Sequence, residues 1–282
     1  MSFFVFIFAA MDITWRKKIW KWFKILAVVY ILGGIALYFL QDYILFHPVS
    51  LKSNHRYDFP EKHKEINIPV NKESNLNVVQ FLSTDTVTKG VVLYFHGNKK
   101  NISWYAKYQP YFTRHGYEVW IMDYPGFGKS TGKLTEENLY VWANYMYKYA
   151  ASRYSADSII IYGKSMGTGI AAHLASKQNC KRLILETPYY DYPSVVKNYL
   201  PFYPVDMMIH YKLPTHRYLQ HVISPVTIFQ GTNDRLVTYR NAYKLKPFLK
   251  PGDEFIIIEG GRHNDLFTFK ETIEKLDSLL KE

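Results

Sequence analysis

Ser158-Ile159-Ile160-Ile161-Tyr162-Gly163-Lys164-Ser165-Met166-Gly167 is the stretch whose reading decides the fold. Its apolar, β-branched first half predicts a buried strand ending at Tyr162, and the Ala/Gly-rich run from Thr168 to Lys177 predicts a helix. A G-x-S-x-G pattern at such a junction builds a strained turn that lifts a serine hydroxyl above the edge of a sheet. The flanking glycines are required because side chains there would collide with backbone in so tight a reversal. Ser165 as the plain N-cap of an inert helix is the competing reading, and the rest of the chain has to discriminate.

A serine hydroxyl is a poor nucleophile unless a base takes its proton, and the base needs an acid to orient it. In the order Ser, Asp, His, both partners should follow Ser165 at later strand ends. Pro225 to Gln230 reads as a strand closed by Gly231-Thr232-Asn233-Asp234, which leaves the Asp234 carboxylate in the following loop. Glu254 to Glu259 reads as the next strand, followed by Gly260-Gly261-Arg262-His263. Glu186, after the strand Arg182 to Leu185, is a rival acid, since a carboxylate at that strand end also reaches the histidine. Val91 to Phe95 is an uninterrupted strand running into His96-Gly97-Asn98. The backbone N–H groups of Asn98 and Met166 are therefore the expected oxyanion donors. His96 reads as a structural hydrogen-bonder beneath that loop, and Asp123 as a residue pinning its own loop through Gly128.

These motifs, His96-Gly97-Asn98, Asp123-Tyr124-Pro125-Gly126-Phe127-Gly128-Lys129-Ser130, Gly163 to Gly167, Gly231 to Asp234 and Gly261-Arg262-His263, resemble the α/β-hydrolase fold. Within it they are similar to the membrane-anchored serine hydrolases, a branch that includes lysophospholipases and protein depalmitoylases. The resemblance runs from about Leu45 to the end with all five motifs in the family's order. It implies a mostly parallel, doubly covered sheet and a Ser165–Asp234–His263 triad. It says little of the substrate, because this fold hosts many chemistries.

Ahead of that domain, Ile25 to Gln41 gives 17 residues without a formal charge, with Trp20, Trp22, Phe23, Tyr38, Phe39 and Tyr43 near the two ends. At about 1.5 Å per residue the run spans roughly 25 Å, and extension to 22–45 with Lys24 snorkelling reaches the roughly 30 Å of a hydrocarbon core. The expected organisation is a basic cytoplasmic tail over 1–21, a transmembrane helix over 22–45 and a hydrolase domain over 46–282. A cleaved signal peptide is the rival, against which stand the length of the run and the lack of an A-x-A-like site after it. Arg16, Lys17, Lys18, Lys21 and Lys24 precede the span, so the positive-inside bias keeps the N-terminus cytoplasmic and sends the catalytic domain across. Met1 to Ala10 carries no charge, and translation from Met11 would begin directly before the basic segment.

The remaining pattern alternates strand and helix. Strands are expected at Ile66 to Val70, Leu76 to Ser83 and Tyr117 to Met122, and helices at Ser103 to His115, Thr135 to Arg153, Arg240 to Phe248 and Asn264 to Leu280. An insertion over 188–224, rich in tyrosine, interrupts the alternation where a lid or acyl-chain pocket would overhang the nucleophile. Packing against the sheet explains the same aromatics equally well.

The chain carries a net charge of +11. Lys99, Lys100, Lys129, Lys133 and Lys164 fall in or beside loops after strands, which would crowd positive charge on the active-site rim and favour anionic membranes or substrates. No basic-aromatic nucleic-acid module accompanies this charge. The single Cys180 precludes an intramolecular disulfide framework, and no metal-ligand or Walker spacing appears, so neither metal nor cofactor is expected. The sequence thus points to a membrane-anchored serine hydrolase acting on an acyl ester or thioester. A peptidase of the same fold and a catalytically silent, membrane-tethered interaction protein remain as alternatives.

Overall fold

The computed structural model describes residues 13–281. Met1 to Ala10 and the alternative start at Met11 lie outside the described residues. The chain divides into two units between Leu45 and Phe46.

The first unit is one helix, α1 (Ile13–Leu45), 33 residues long. At about 1.5 Å per residue it is roughly 50 Å long, well beyond a bilayer's hydrocarbon thickness. By length and composition it is a candidate membrane span. The helix begins before Trp22, so Arg16 to Lys24 ride on its first turns. There Trp20 stacks on Phe23, and the Lys24 ammonium lies over the Trp20 ring.

The second unit is built on an eight-stranded sheet. In chain order its strands are β2 (His63–Pro69), β3 (Asn75–Phe81), β4 (Gly90–Phe95), β6 (Tyr117–Met122), β7 (Ile159–Lys164), β8 (Arg182–Glu186), β9 (Val226–Gly231) and β10 (Glu254–Ile258). The spatial order is β10-β9-β8-β7-β4-β6-β3-β2. β2 and β3 pair antiparallel, as do β3 and β6, and every other pairing is parallel. The parallel strands are covered on both faces, which is why β4 and the Ile159 to Tyr162 part of β7 read as continuous apolar runs and not as alternations. All six residues of β4, β6 and β7 are buried, the charged Glu118 and Lys164 included. Each fully buried isoleucine of β7 contributes about 1.5–3 kcal/mol of apolar transfer free energy.

Two helices that flank the nucleophile strand pack on each other and on the sheet. α2 (Glu136–Ala151) is capped by Thr135, whose hydroxyl accepts from the Asn138 N–H, and it buries Leu139, Trp142, Ala143, Met146, Tyr147 and Ala150 along one stripe. α3 (Met166–Ala175) follows the nucleophile turn and packs on β7, β8 and β4. A two-residue parallel pair, β1 (His47–Pro48) with β5 (Lys99–Lys100), ties the start of this unit to the loop after β4.

Three expected helices differ, of which Arg240 to Phe248 divides into an α-helical turn (Tyr239–Tyr243) and a 3-10 turn (Lys246–Phe248). Ser103 to His115 is not continuous: it breaks into a turn of α-helix (Ile102–Tyr105), a 3-10 turn (Ala106–Tyr108) and a second short helix (Pro110–Thr113). Pro110 lacks the N–H that a continuous ladder needs, and it stands instead as the first residue of the second short helix. The C-terminal helix α4 (Lys270–Lys281) starts later than Asn264, after a 3-10 turn at Leu266–Thr268. The insertion over 188–224 holds three short helices, Tyr192–Lys197, Val205–Met208 and Thr215–Leu219. Its aromatics divide: Tyr189, Tyr192 and Tyr211 are buried, whereas Tyr199 and Phe202 are exposed, as is Met207.

Candidate active site

The carboxyl ends of β4, β7, β9 and β10 bring the expected residues to one edge. Ser165 sits between β7 and α3 at φ 51° and ψ −121°, a region sparsely populated by L-residues. The turn is held by backbone: the Ser165 N–H donates to the Glu186 carbonyl at 2.9 Å, and the Ser165 carbonyl accepts from the Thr168 N–H at 2.9 Å and hydroxyl at 2.6 Å. A Cβ at Gly167 would lie 2.1 Å from the Phe95 carbonyl oxygen, and one at Gly163 2.6 Å from that of Gly167. The two glycines let α3 approach the end of β4.

His263 Nε2 lies 2.9 Å from Ser165 Oγ, and His263 Nδ1 lies 2.8 Å from Asp234 Oδ2. A carboxylate only accepts, so Nδ1–H donates to Asp234 and Nε2 is left to accept from the serine hydroxyl. The other carboxylate oxygen, Oδ1, accepts from the Leu236 and Val237 N–H groups at 2.8 and 2.9 Å, which fixes the plane of the carboxylate. The Asp234 side chain is fully buried, while His263 keeps 12% exposure. The oxyanion candidates lie where the chain order put them, Met166 as the first residue of α3 and Asn98 in the loop after β4. The Tyr192 hydroxyl, from the insertion, reaches the Asn98 side chain. Tyr189 of the insertion donates its hydroxyl to the Met166 carbonyl at 2.8 Å.

Glu186 does not face the histidine. Its carboxylate pairs with Lys164 and accepts from the Tyr162 hydroxyl at 2.5 Å. Both partners of the ion pair are at most 2% exposed. Lys164 is therefore not a rim lysine, and its ammonium also lies 3.4 Å from the His263 carbonyl oxygen. Burial, reinforced by the Glu186 charge, drives the Tyr162 hydroxyl well above its ordinary pKa, so it remains a donor. The signal for this pair lies in the register: Lys164 and Glu186 are Cα partners at the last rung between β7 and β8.

His96 and Asp123 are wholly buried, with Nε2 3.2 Å from Oδ1 and the Nδ1 atom 2.7 Å from the Gly97 carbonyl oxygen. Asp123 Oδ1 accepts from the Ile102 N–H at 3.0 Å. Burial raises the Asp123 carboxyl above its usual range, against the opposing pull of His96. Gly128, at φ 50°, has no room for a side chain, since a Cβ would come within 1.8 Å of Asp123 Oδ2. Cys180 is buried, its thiol pushed up to about 11 by desolvation, and hydrogen-bonded with Ser224. Among the described residues no group of three His, Cys, Asp or Glu is arranged to hold a metal.

A cavity of about 200 Å³ opens on Ser165 and His263, lined also by Gly97, Asn98, Lys99, Lys100, Trp104 and Lys107. Lys133 is exposed, and Lys129 is paired with Glu65 at 2.5 Å, so neither adds to the cavity wall. Lys107 was hidden in the sequence inside what read as a continuous helix.

Comparison with known proteins agrees with this geometry. Residues 86–218 match the family model described as serine aminopeptidase, S33. Alpha/beta hydrolase domain-containing protein 17C of Xenopus tropicalis is 27% identical over 208 residues, covering 71% of this chain and 64% of the relative. The human protein of that name is 27% identical over 197 residues, 67% of this chain and 57% of the relative. The chain thus spans less than two thirds of the length of these curated relatives. Among solved structures, a Pyrococcus furiosus esterase superposes with a TM-score of 0.65 at 18% identity, covering 84% of this chain and 97% of the esterase. A soluble variant of Saccharomyces cerevisiae monoglyceride lipase gives 0.61 at 15% identity, covering 79% and 98%. The chain has the α/β-hydrolase fold, and its relatives are proteins named for an alpha/beta hydrolase domain.

Proposed function

We propose that the chain is a membrane-anchored serine hydrolase that cleaves the carboxylic ester or thioester of an acyl substrate such as a lysophospholipid. The observation that carries the reading is the unbroken relay Ser165 Oγ, His263 Nε2, His263 Nδ1, Asp234 Oδ2, with contacts of 2.9 and 2.8 Å. Ser165 Oγ attacks the acyl carbonyl carbon while its proton passes to His263 Nε2. Asp234 holds the tautomer and stabilises the imidazolium. The Met166 and Asn98 backbone N–H groups receive the developing oxyanion. As the tetrahedral intermediate collapses, the acyl C–O or C–S bond breaks and the departing alcohol or thiol takes the proton from Nε2. Water then attacks the acyl-serine, giving a proton to His263. That proton returns to Ser165 Oγ as the carboxylic acid leaves.

The helix α1 would anchor the domain, with the basic residues before Ile25 on the cytoplasmic side and the catalytic unit on the outer or luminal side. The family model's name favours a second reading, an aminopeptidase. Such an enzyme needs a carboxylate to hold the substrate's free α-ammonium, whereas the cavity at Ser165 is lined by lysines and by no acidic residue. The test is turnover by the full chain in detergent of an acyl-ester and acyl-thioester chain-length series and of aminoacyl anilides. Hydrolysis of the acyl series, abolished by Ser165→Ala, is expected. Cleavage of the anilides alone would establish the peptidase.

A further inference from the structure

The same cavity carries a feature the triad does not use. Of its lining lysines, Lys164 is neutralised by Glu186, but Lys99, Lys100 and Lys107 are exposed and enter no ion pair among the described residues. Two of them flank one exposed indole: the Lys107 ammonium lies 3.9 Å from the Trp104 ring centre and that of Lys100 5.8 Å. No carboxylate lines the cavity to balance them.

The backbone beneath two of these lysines is fixed. β5 is the pair Lys99–Lys100 itself, bonded in parallel to His47–Pro48. The His47 N–H donates to the Asn98 carbonyl at 2.9 Å and the Val49 N–H to that of Lys100 at 3.2 Å. Asn101 then caps the helix bearing Trp104 and donates its side-chain amide to the Val49 carbonyl at 2.9 Å. Lys100 is held at φ 68°, a left-handed conformation that a lysine leaves unless its surroundings enforce it. Strain of this kind persists where neighbouring structure over-determines it, and it concentrates at binding sites.

We propose that Lys99, Lys100 and Lys107, which line the cavity together with Trp104, form an anion subsite beside the nucleophile that selects acyl substrates carrying a phosphate-bearing headgroup. The volume fits a head and not a tail: about 200 Å³ is below the roughly 300–1,000 Å³ of sites that enclose a whole drug-sized ligand. Three ammonium groups supply charge-assisted hydrogen bonds to phosphate oxygens, and the indole face covers the carbon skeleton between phosphate and ester. The inference rests on the acyl-hydrolase reading above and names its substrate class.

The test compares two short-chain substrates kept below their aggregation limit, a 1-acylglycerol and the 1-acylglycerol 3-phosphate with the same acyl group. For the full chain in neutral detergent at low salt, kcat/KM should favour the phosphate by about tenfold or more. Raising salt to 1 M shortens the screening length to about 3 Å and should erase most of that ratio. Lys99→Gln/Lys100→Gln/Lys107→Gln should bring the ratio near one, and the corresponding arginine variants should keep it. If the triple variant does not fold, Lys107→Gln alone must lower the ratio, and the salt dependence of the wild type needs no variant. Turnover of both substrates with a ratio near one at every salt concentration overturns the subsite while leaving the hydrolase reading standing. A preference appearing only on anionic vesicles, and not with monomeric substrate, would assign the lysines to a membrane surface and also overturns it. Turnover of neither substrate, with Ser165 unlabelled by a fluorophosphonate, is the separate failure of the hydrolase reading.

Discussion

The molecule contains two histidine–aspartate pairs a few residues from the same sheet edge, and they are built for opposite ends. In His263–Asp234 the far imidazole nitrogen meets a serine hydroxyl, and the ring retains access to the cavity. In His96–Asp123 the far nitrogen meets the Gly97 carbonyl, both side chains are wholly buried, and the ring is packed between Tyr105 and Tyr124. The acid in the first pair is held by two backbone N–H groups, and in the second by one, with Gly128 pressed against it. The lesson is that a His–Asp contact is not a catalytic signature. What decides is whether the second nitrogen faces a nucleophile with room for a substrate.

The same substitution made in each pair separates the two roles. Asp234→Asn should lower kcat by about 10⁴ with folding intact, because the amide favours the wrong imidazole tautomer. Asp123→Asn keeps the oxygen that accepts from Ile102 and should change kcat by less than about tenfold. Steady-state kinetics with one ester substrate reads both, and equal losses would dissolve the distinction. The third carboxylate at this edge sharpens it. Glu186→Gln leaves the Lys164 charge buried without its counter-ion and should cost about 3–5 kcal/mol in denaturant unfolding. Its kcat, measured below the unfolding range, should fall far less than that of Asp234→Asn. A collapse in turnover at unchanged stability would instead make Glu186 the orienting acid.

Much of this arrangement was legible in the sequence, for reasons visible in particular residues. The strands that carry the site are buried on both faces, so Val91 to Phe95 and Ile159 to Tyr162 appear as uninterrupted apolar runs. Each motif then follows such a run directly, which places Ser165, Asp234 and His263 at strand ends without knowledge of the pairing. What escaped depended on neighbours across the sheet. Lys164 looks like a surface lysine in a polar turn until β7 and β8 are set side by side and Glu186 falls opposite it. Lys107 escaped for a local reason, since Pro110 marked the break that a continuous helix over 103–115 ignored.

A smaller effect concerns a third histidine, away from the edge. His173 is stacked on Tyr140 with ring centres 3.9 Å apart and faces Tyr218. Burial, with Lys177 adding to it, lowers its pKa from 6.5 to about 4. Between those values the unfolded chain binds the proton and the folded one does not, so stability falls as pH drops from about 6.5 towards about 4. His173→Phe should flatten that part of the acid limb, measured as the difference in urea midpoint between pH 7 and pH 5 for variant and wild type. An unchanged difference would mean that His173 titrates normally.

The proposed activation of Ser165 by His263 is tested most directly by treating the protein in detergent with a fluorophosphonate and mapping the adduct by mass spectrometry. A single adduct on Ser165 is expected, lost in Ser165→Ala, strongly slowed in Asp234→Asn and retained in Asp123→Asn. An adduct on another serine, or a folded wild-type protein that takes no label, would contradict it.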